Sequence, residues 1–219
     1  MTRIIFIRPT VTDFVNRDAV MGREDPDLNR AGFQQAADLG ETMVAYNLDF
    51  LTASPVKRAL ATAMAIEDAT PSLSTHSAAA FLGMDMGDWT NVNKDQLALA
   101  DRRRYHSFLT DPDFRAPGGE CKREVYARSF PELVNIVHHA DEDESLALVL
   151  PEAVLQVLCC GMLDLALESA GRFHMDHGSY AMFERLFPEG PYQLIVWNRK
   201  DHPFVDTDVL PALAEESAF

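Results

Sequence analysis

Arg8 and Arg58 are the residues of this sequence best placed to do chemistry. Arg8 follows the apolar run Ile4 to Ile7, and Arg58 follows Ser54-Pro55 in what reads as the first turn of a helix. A guanidinium is planar, stays charged at neutral pH and presents a fork of donors that fits a carboxylate or phosphate two bonds at a time. Two of them at one rim would make an anion cradle, to which Asn16 would add an amide, with Thr10 in the same pocket. The same two arginines could equally be paired with carboxylates of the chain itself. Glu152, directly after Pro151 at a helix start, is the carboxylate to watch. The helix macrodipole alone explains an acid there, but beside the arginines it would compete with any incoming anion. His174 and His177 flank Asp176 in a Gly-containing loop, and without a further convergent ligand they make a weak metal site. No metal and no cofactor is expected. Met84 and Met86 either line an apolar pocket or fill gaps.

These side chains need a frame, and the sequence supplies one. Ile4 to Ile7 reads as a short strand buried on both faces, hence central and parallel. In open α/β sheets the ligand crevice lies outside the carboxyl ends of such strands, where Arg8 stands. A surface helix is expected from Arg30 to Asn47, with Phe33, Ala36, Ala37, Met43 and Val44 as its apolar positions. A strand follows at Asp49 to Ala53, and then a helix opened by Ser54 as cap and Pro55 in its first position. Helical side chains lean toward the amino terminus, which aims Arg58 at the rim holding Arg8. Ser74 to Leu82 reads as a third strand, Lys94 to Leu109 and Glu120 to Ala140 as helices, and Leu146 to Leu150 as a buried strand. A long helix from Pro151 to about Glu168, a short helix from Tyr180 to Phe187 and a last strand from Gln193 to Trp197 complete the pattern.

The formal net charge of -15 works against attraction to nucleic acid or an anionic membrane. No stretch has the length of a membrane span, and Cys121, Cys159 and Cys160 lack metal or redox spacing, so a cytoplasmic protein with reduced thiols is expected. With 219 residues, 47% of them hydrophobic, the chain suits a single domain over 1–219 with a helical insertion at about 84–145. The remaining partners are a small anionic ligand, a protein partner, or a second copy in a homodimer.

Ser54 to Ala63, reading S-P-V-K-R-A-L-A-T-A, resembles the SPLxRAxxTA segment of the histidine phosphatase superfamily in its phosphoglycerate mutase-like branch. Pro117 to Glu120, reading P-G-G-E and followed by Val125 and Arg128, resembles a second segment of that family. Asn16, Gly22-Arg23, Gly32, Gln35-Ala36, Gly87-Asp88-Trp89, Asn198 and His202 keep the family order. The resemblance implies a three-layer α/β/α sandwich around a mostly parallel sheet. It also implies phosphoryl transfer through a histidine of an R-H-G motif, with a glutamate as acid and a second histidine in S-H-G-G. This chain departs at each of those positions: it has Arg8-Pro9-Thr10, then Gly83 at the acid, then Leu150-Pro151-Glu152-Ala153. Proline has no nucleophilic side-chain atom and glycine no proton to give. The expectation is therefore a catalytically inactive relative that keeps the fold and the arginine pocket. The alternative is an enzyme turned to other chemistry, or to a non-histidine nucleophile, on a small phosphorylated metabolite.

Overall fold

The computed structural model describes residues 2–200 apart from 18, 142, 186, 188 and 189, and leaves the side chains of Val15 and Asn16 undescribed; His202 lies outside the described residues. Among the described residues six strands form one sheet: β1 (Thr2–Ile7), β2 (Phe50–Ala53), β3 (Thr75–Ser77), β4 (Ser145–Val149), β5 (Tyr180–Arg185) and β6 (Gln193–Arg199), in the order β3-β2-β4-β1-β5-β6. The β3, β2, β4 and β1 neighbours pair in parallel. Strand β1 then meets β5 antiparallel. It is central, as its apolar run requires, but parallel on one side only.

Among the described residues the α-helices are α1 (Arg30–Val44), α2 (Lys57–Ala69), α3 (Lys94–Ala100), α4 (Arg102–Thr110), α5 (Lys122–His139) and α6 (Glu152–Met162). Successive strand residues face opposite sides of a sheet, and β1 uses both sides. Ile5 and Ile7 join Leu39, Met43, Ala63 and Ile66 of α1 and α2 in one core, while Ile4 and Phe6 join Val125, Leu133, Val154 and Leu158 of α5 and α6 in the other. The result is a sheet between two helical layers. On the second side α5 and α6 approach so closely that a Cβ on Gly161 would sit 2.3 Å from the Phe130 ring.

Several sequence expectations change. The buried stripe of α1 is Gly32, Ala36, Leu39, Gly40 and Met43, whereas Phe33, Ala37 and Val44 are exposed. Ser54 does not cap α2; its buried hydroxyl has no partner, and the helix begins after Val56. A free amide there is met from across the loop, where Asp25 accepts from the Lys57 N–H at 2.6 Å. The third strand shortens to β3, followed by a 3₁₀ turn at Ala79–Phe81. The expected Lys94 to Leu109 helix breaks at Asp101, whose carboxylate accepts from the Arg103 and Arg104 amides at 3.1 and 3.0 Å. An internal cap of that quality starts a new helix. Helix α6 stops at Met162, short of Glu168. Tyr180 to Phe187 is not helical: Tyr180–Arg185 is β5, fully paired with β1 from Thr2 to Ile7.

Two contacts fix the parts that border the crevice. Asn29 caps α1 by accepting from the Gly32 amide at 2.8 Å, and its own N–H donates to the Val11 carbonyl at 3.3 Å, so the cap ties α1 to the loop after β1. Asn29→Ala is expected to cost about 1 kcal/mol, read as a lower urea midpoint with an unchanged slope. Lys122 Nζ donates to the Phe108 and Leu109 carbonyls at 3.0 and 2.9 Å, which holds the end of α4 over the sheet and suits the negative end of that helix.

Candidate functional site

A cleft of about 580 Å³ opens at the carboxyl ends of β1, β2 and β4, with α3 and α4 along its far side. That is the expected position for this sheet and a volume that suits a small organic ligand. Arg8, Pro9, Arg58, Gly83, Pro151 and Glu152 all line it. Thr10 does not. It is fully buried behind the rim, where its amide donates to the Thr62 hydroxyl at 3.2 Å and the two hydroxyls lie 3.3 Å apart. The Asn16 side chain lies outside the described residues.

Arg8 leaves β1 with both terminal nitrogens of its guanidinium engaged. Its Nη2 donates to Glu152 Oε2 at 2.8 Å, and its Nη1 donates to the Met175 carbonyl. Burial pulls its pKa down, and Glu152 and then Asp176 oppose that pull. Arg58 is 5% exposed and differs sharply. Its Nη1 donates to the Glu24 backbone carbonyl at 2.7 Å, and among the described residues no carboxylate forms an ion pair with it. Burial lowers its pKa to about 10, against the pull of Asp25 and with the help of nearby Arg8. Both arginines remain cations at neutral pH. Among the described residues, one has a carboxylate counter-ion and the other does not.

His177 is the site residue that sequence reasoning set aside. The turn before β5 brings it to Arg8: the Gly178 amide donates to the Arg8 carbonyl at 3.1 Å and the Arg8 amide to the Ser179 carbonyl at 2.9 Å. Gly178 takes φ +71°, which a side chain resists, and a Cβ there would meet the Thr10 methyl at 3.3 Å. The imidazole Nδ1 lies 3.1 Å from the Pro9 carbonyl and Nε2 lies 3.4 Å from Arg8 Nη2. A carbonyl only accepts and a guanidinium only donates, so these partners select the tautomer with the proton on Nδ1. Burial, followed by the Arg8 charge, depresses its pKa to about 4, and the Pro9 carbonyl opposes this. His177 is a neutral acceptor. His174 is mostly exposed, 3.6 Å from Glu152 Oε1 and 3.5 Å from Asp176 Oδ1, and Asp176 is held at 3.1 Å by Lys200. The signal for His177 was the short D-H-G-S turn just before an apolar segment, which becomes informative once that segment is read as a strand beside β1.

The carboxylates near Gly83 have other work. Asp85 caps the Gly87 amide at 2.9 Å and faces Arg23 at 3.4 Å. Glu120 accepts from the Asp85 amide at 2.9 Å and pairs with Arg23 and Arg128. A Cβ on Gly83 would be 3.0 Å from the Gly22 carbonyl and 3.8 Å from Arg58 Nη2. Met84 and Met86 are buried in the core and also form part of the cleft wall. Cys159 and Cys160 lie on α6 inside the core, where burial raises both thiols, Cys160 to about 11. They are inert packing residues.

Phosphoserine phosphatase 1 of Hydrogenobacter thermophilus is 24% identical over 185 residues, covering 83% of this chain and 86% of that protein. A 2,3-bisphosphoglycerate-dependent phosphoglycerate mutase of Rhizobium etli is 27% identical over 191 residues, covering 79% of this chain and 90% of the mutase. Mycobacterial glucosyl-3-phosphoglycerate phosphatase, solved with VO3, has the same fold, with a TM-score of 0.82 at 22% identity over 90% of this chain and 98% of that one. The sheet order, the crevice at its carboxyl edge and the sequence model that matches residues 4–199 agree, and the chain belongs to the histidine phosphatase superfamily, branch 1.

Proposed function

We propose that this chain is a binding member of its superfamily that has given up phosphoryl transfer and kept an arginine pocket for a small anionic ligand or a protein partner. The observation that carries this reading is the 2.8 Å pair between Arg8 and Glu152. An arginine that holds a transferring phosphoryl group needs its donors free in the transition state, and here Glu152 already takes one terminal nitrogen and the Met175 carbonyl the other. Pro9 and Pro151 add support, since neither ring can accept or donate the phosphoryl group or a proton. Fold is kept more readily than site, so active relatives do not argue against it. Cytoplasmic residence belongs to the same proposal, and three free, buried cysteines support it.

One observation favours a second reading. His177 holds its proton on Nδ1 against a backbone carbonyl and turns an unprotonated Nε2 to the pocket, which is the state a nucleophilic imidazole requires. Against it, that lone pair already accepts from Arg8. Hydrolysis of p-nitrophenyl phosphate and phosphoserine separates the two. The binding reading expects no turnover above background, against about 1–10³ per second for ordinary enzymes. Turnover in that range, lost in His177→Asn and accompanied by phosphate bound to His177, would instead establish the second.

A further inference from the structure

We infer that the ligand of this cleft is a monocarboxylate with an apolar body, bound through Arg58, and not a phosphate monoester. The inference rests on the binding reading above and names the ligand class. Three observations lead to it. The first is charge. Arg8 and Glu152 cancel at 2.8 Å, which leaves Arg58 and Lys122 as buried cations of the cleft lining without a carboxylate ion pair among the described residues, and Lys122 spends its ammonium on the Phe108 and Leu109 carbonyls. A phosphate monoester brings roughly -1.5 to -2 charges and three acceptor oxygens, more than one guanidinium can match, and it would face the Glu152 carboxylate directly. A carboxylate brings one charge in a plane that matches one guanidinium fork.

The second observation is that the pocket already holds one carboxylate on an arginine, through a single short bond. Glu152 Oε2 sits on Arg8 Nη2, and Arg58 is the vacant counterpart beside it. A guanidinium that is 5% exposed with one donor nitrogen on a neutral carbonyl is costly to leave without a charged partner. A ligand carboxylate supplies that partner.

The third is the wall that runs outward from Arg58. Val20, Met21, Met84, Met86, Phe108 and Leu109 line the cleft between the sheet edge and α4. Such a surface offers a polar phosphorylated metabolite little, but it shields an alkyl or aryl chain from water. Methionine adapts to chains of differing shape, so the site selects for head group and length more than for a single outline.

Isothermal titration of the full-length chain with n-alkanoates from butanoate to decanoate, and with n-alkyl phosphates of matched length, tests the proposal. Carboxylates are expected to bind about fourfold tighter per added methylene until the wall is covered, and the matched phosphates about tenfold or more weaker. In Glu152→Gln, whose fold is checked by its melting transition, Arg8 loses its counter-ion and the order of head groups is expected to reverse. If alkyl phosphates bind the wild type as well as alkanoates do, the ligand class is wrong while the arginine pocket stands as a binding site. Affinity that ignores chain length removes the apolar body. If neither series binds a folded wild-type protein, this proposal and the small-anion half of the binding reading both fail, and a protein partner is what remains of that reading.

Discussion

Arg128→Met is expected to lower stability by about 2–4 kcal/mol, the largest loss foreseen for a single side chain outside the two cores. Arg128 Nη1 donates to the Ala80 carbonyl at 2.6 Å, and Nη2 to those of Leu82 and Gly83 at 2.7 and 3.3 Å. Its Nε and Nη2 also meet the two oxygens of Glu120 at 3.2 Å each. One guanidinium thus gathers the 3₁₀ turn after β3, the Gly83 wall of the cleft and the start of α5. Methionine keeps the packing of the aliphatic stem but leaves three carbonyls and a carboxylate short of donors. The side chain is 23% exposed, so water repairs part of the loss, which places the value below that of a fully buried pair. For a domain of this size about 1 kcal/mol moves the melting temperature by roughly 2–4 °C, so a fall of roughly 4–16 °C is expected. Glu120→Gln should cost less, because an amide still accepts from the Asp85 N–H. A loss under about 1 kcal/mol for Arg128→Met would mean that these loops hold themselves together without the brace.

Acidification supplies the second large effect. His177 has its pKa pushed from 6.5 to about 4 by burial and by Arg8. Between those two values the unfolded chain binds a proton that the folded chain refuses, so stability rises with pH across the window. Going from pH 7 to pH 4 should remove up to about 3 kcal/mol through this one group, and below pH 4 its contribution is flat. Carboxylates change stability in the same range, so the measurement is a difference. Urea unfolding of the wild type and of His177→Asn is followed from pH 4 to 7.5. Asparagine can still donate to the Pro9 carbonyl but cannot titrate, and its curve should be flatter by that amount. Parallel curves would show that His177 is as easily protonated in the fold as outside it.

What the sequence made legible was local. The Ile4 to Ile7 run is buried whichever face is considered, and a helix was expected after Ser54-Pro55, so β1 and the helix that carries Arg58 could be anticipated. Glu152 was recognised as a rival for the arginines because its place after Pro151 borders the same strand ends. The misses involve partners far away in sequence. Tyr180–Arg185 contains Ala, Met, Glu and Arg, all good helix formers, and its pairing with β1 on one side and β6 on the other makes it a strand. Ser54 reads as a cap, yet Asp25 from another loop meets the helix amide. His177 could not be brought to Arg8 until β5 had a direction.

That direction matters beyond the fold. Because β5 runs against β1, the residues that precede one strand and those that follow the other meet at a single point, although they are far apart along the chain. The floor of the cleft is therefore written twice, once near the beginning of the polypeptide and once near its end. An imidazole, an acid or a bulky group can be introduced from the later stretch while the earlier one remains in register. In this architecture a lineage can re-equip its pocket at Asp176 and His177, while Gly178 and Ser179 keep the backbone bonds that tie the corner to Arg8.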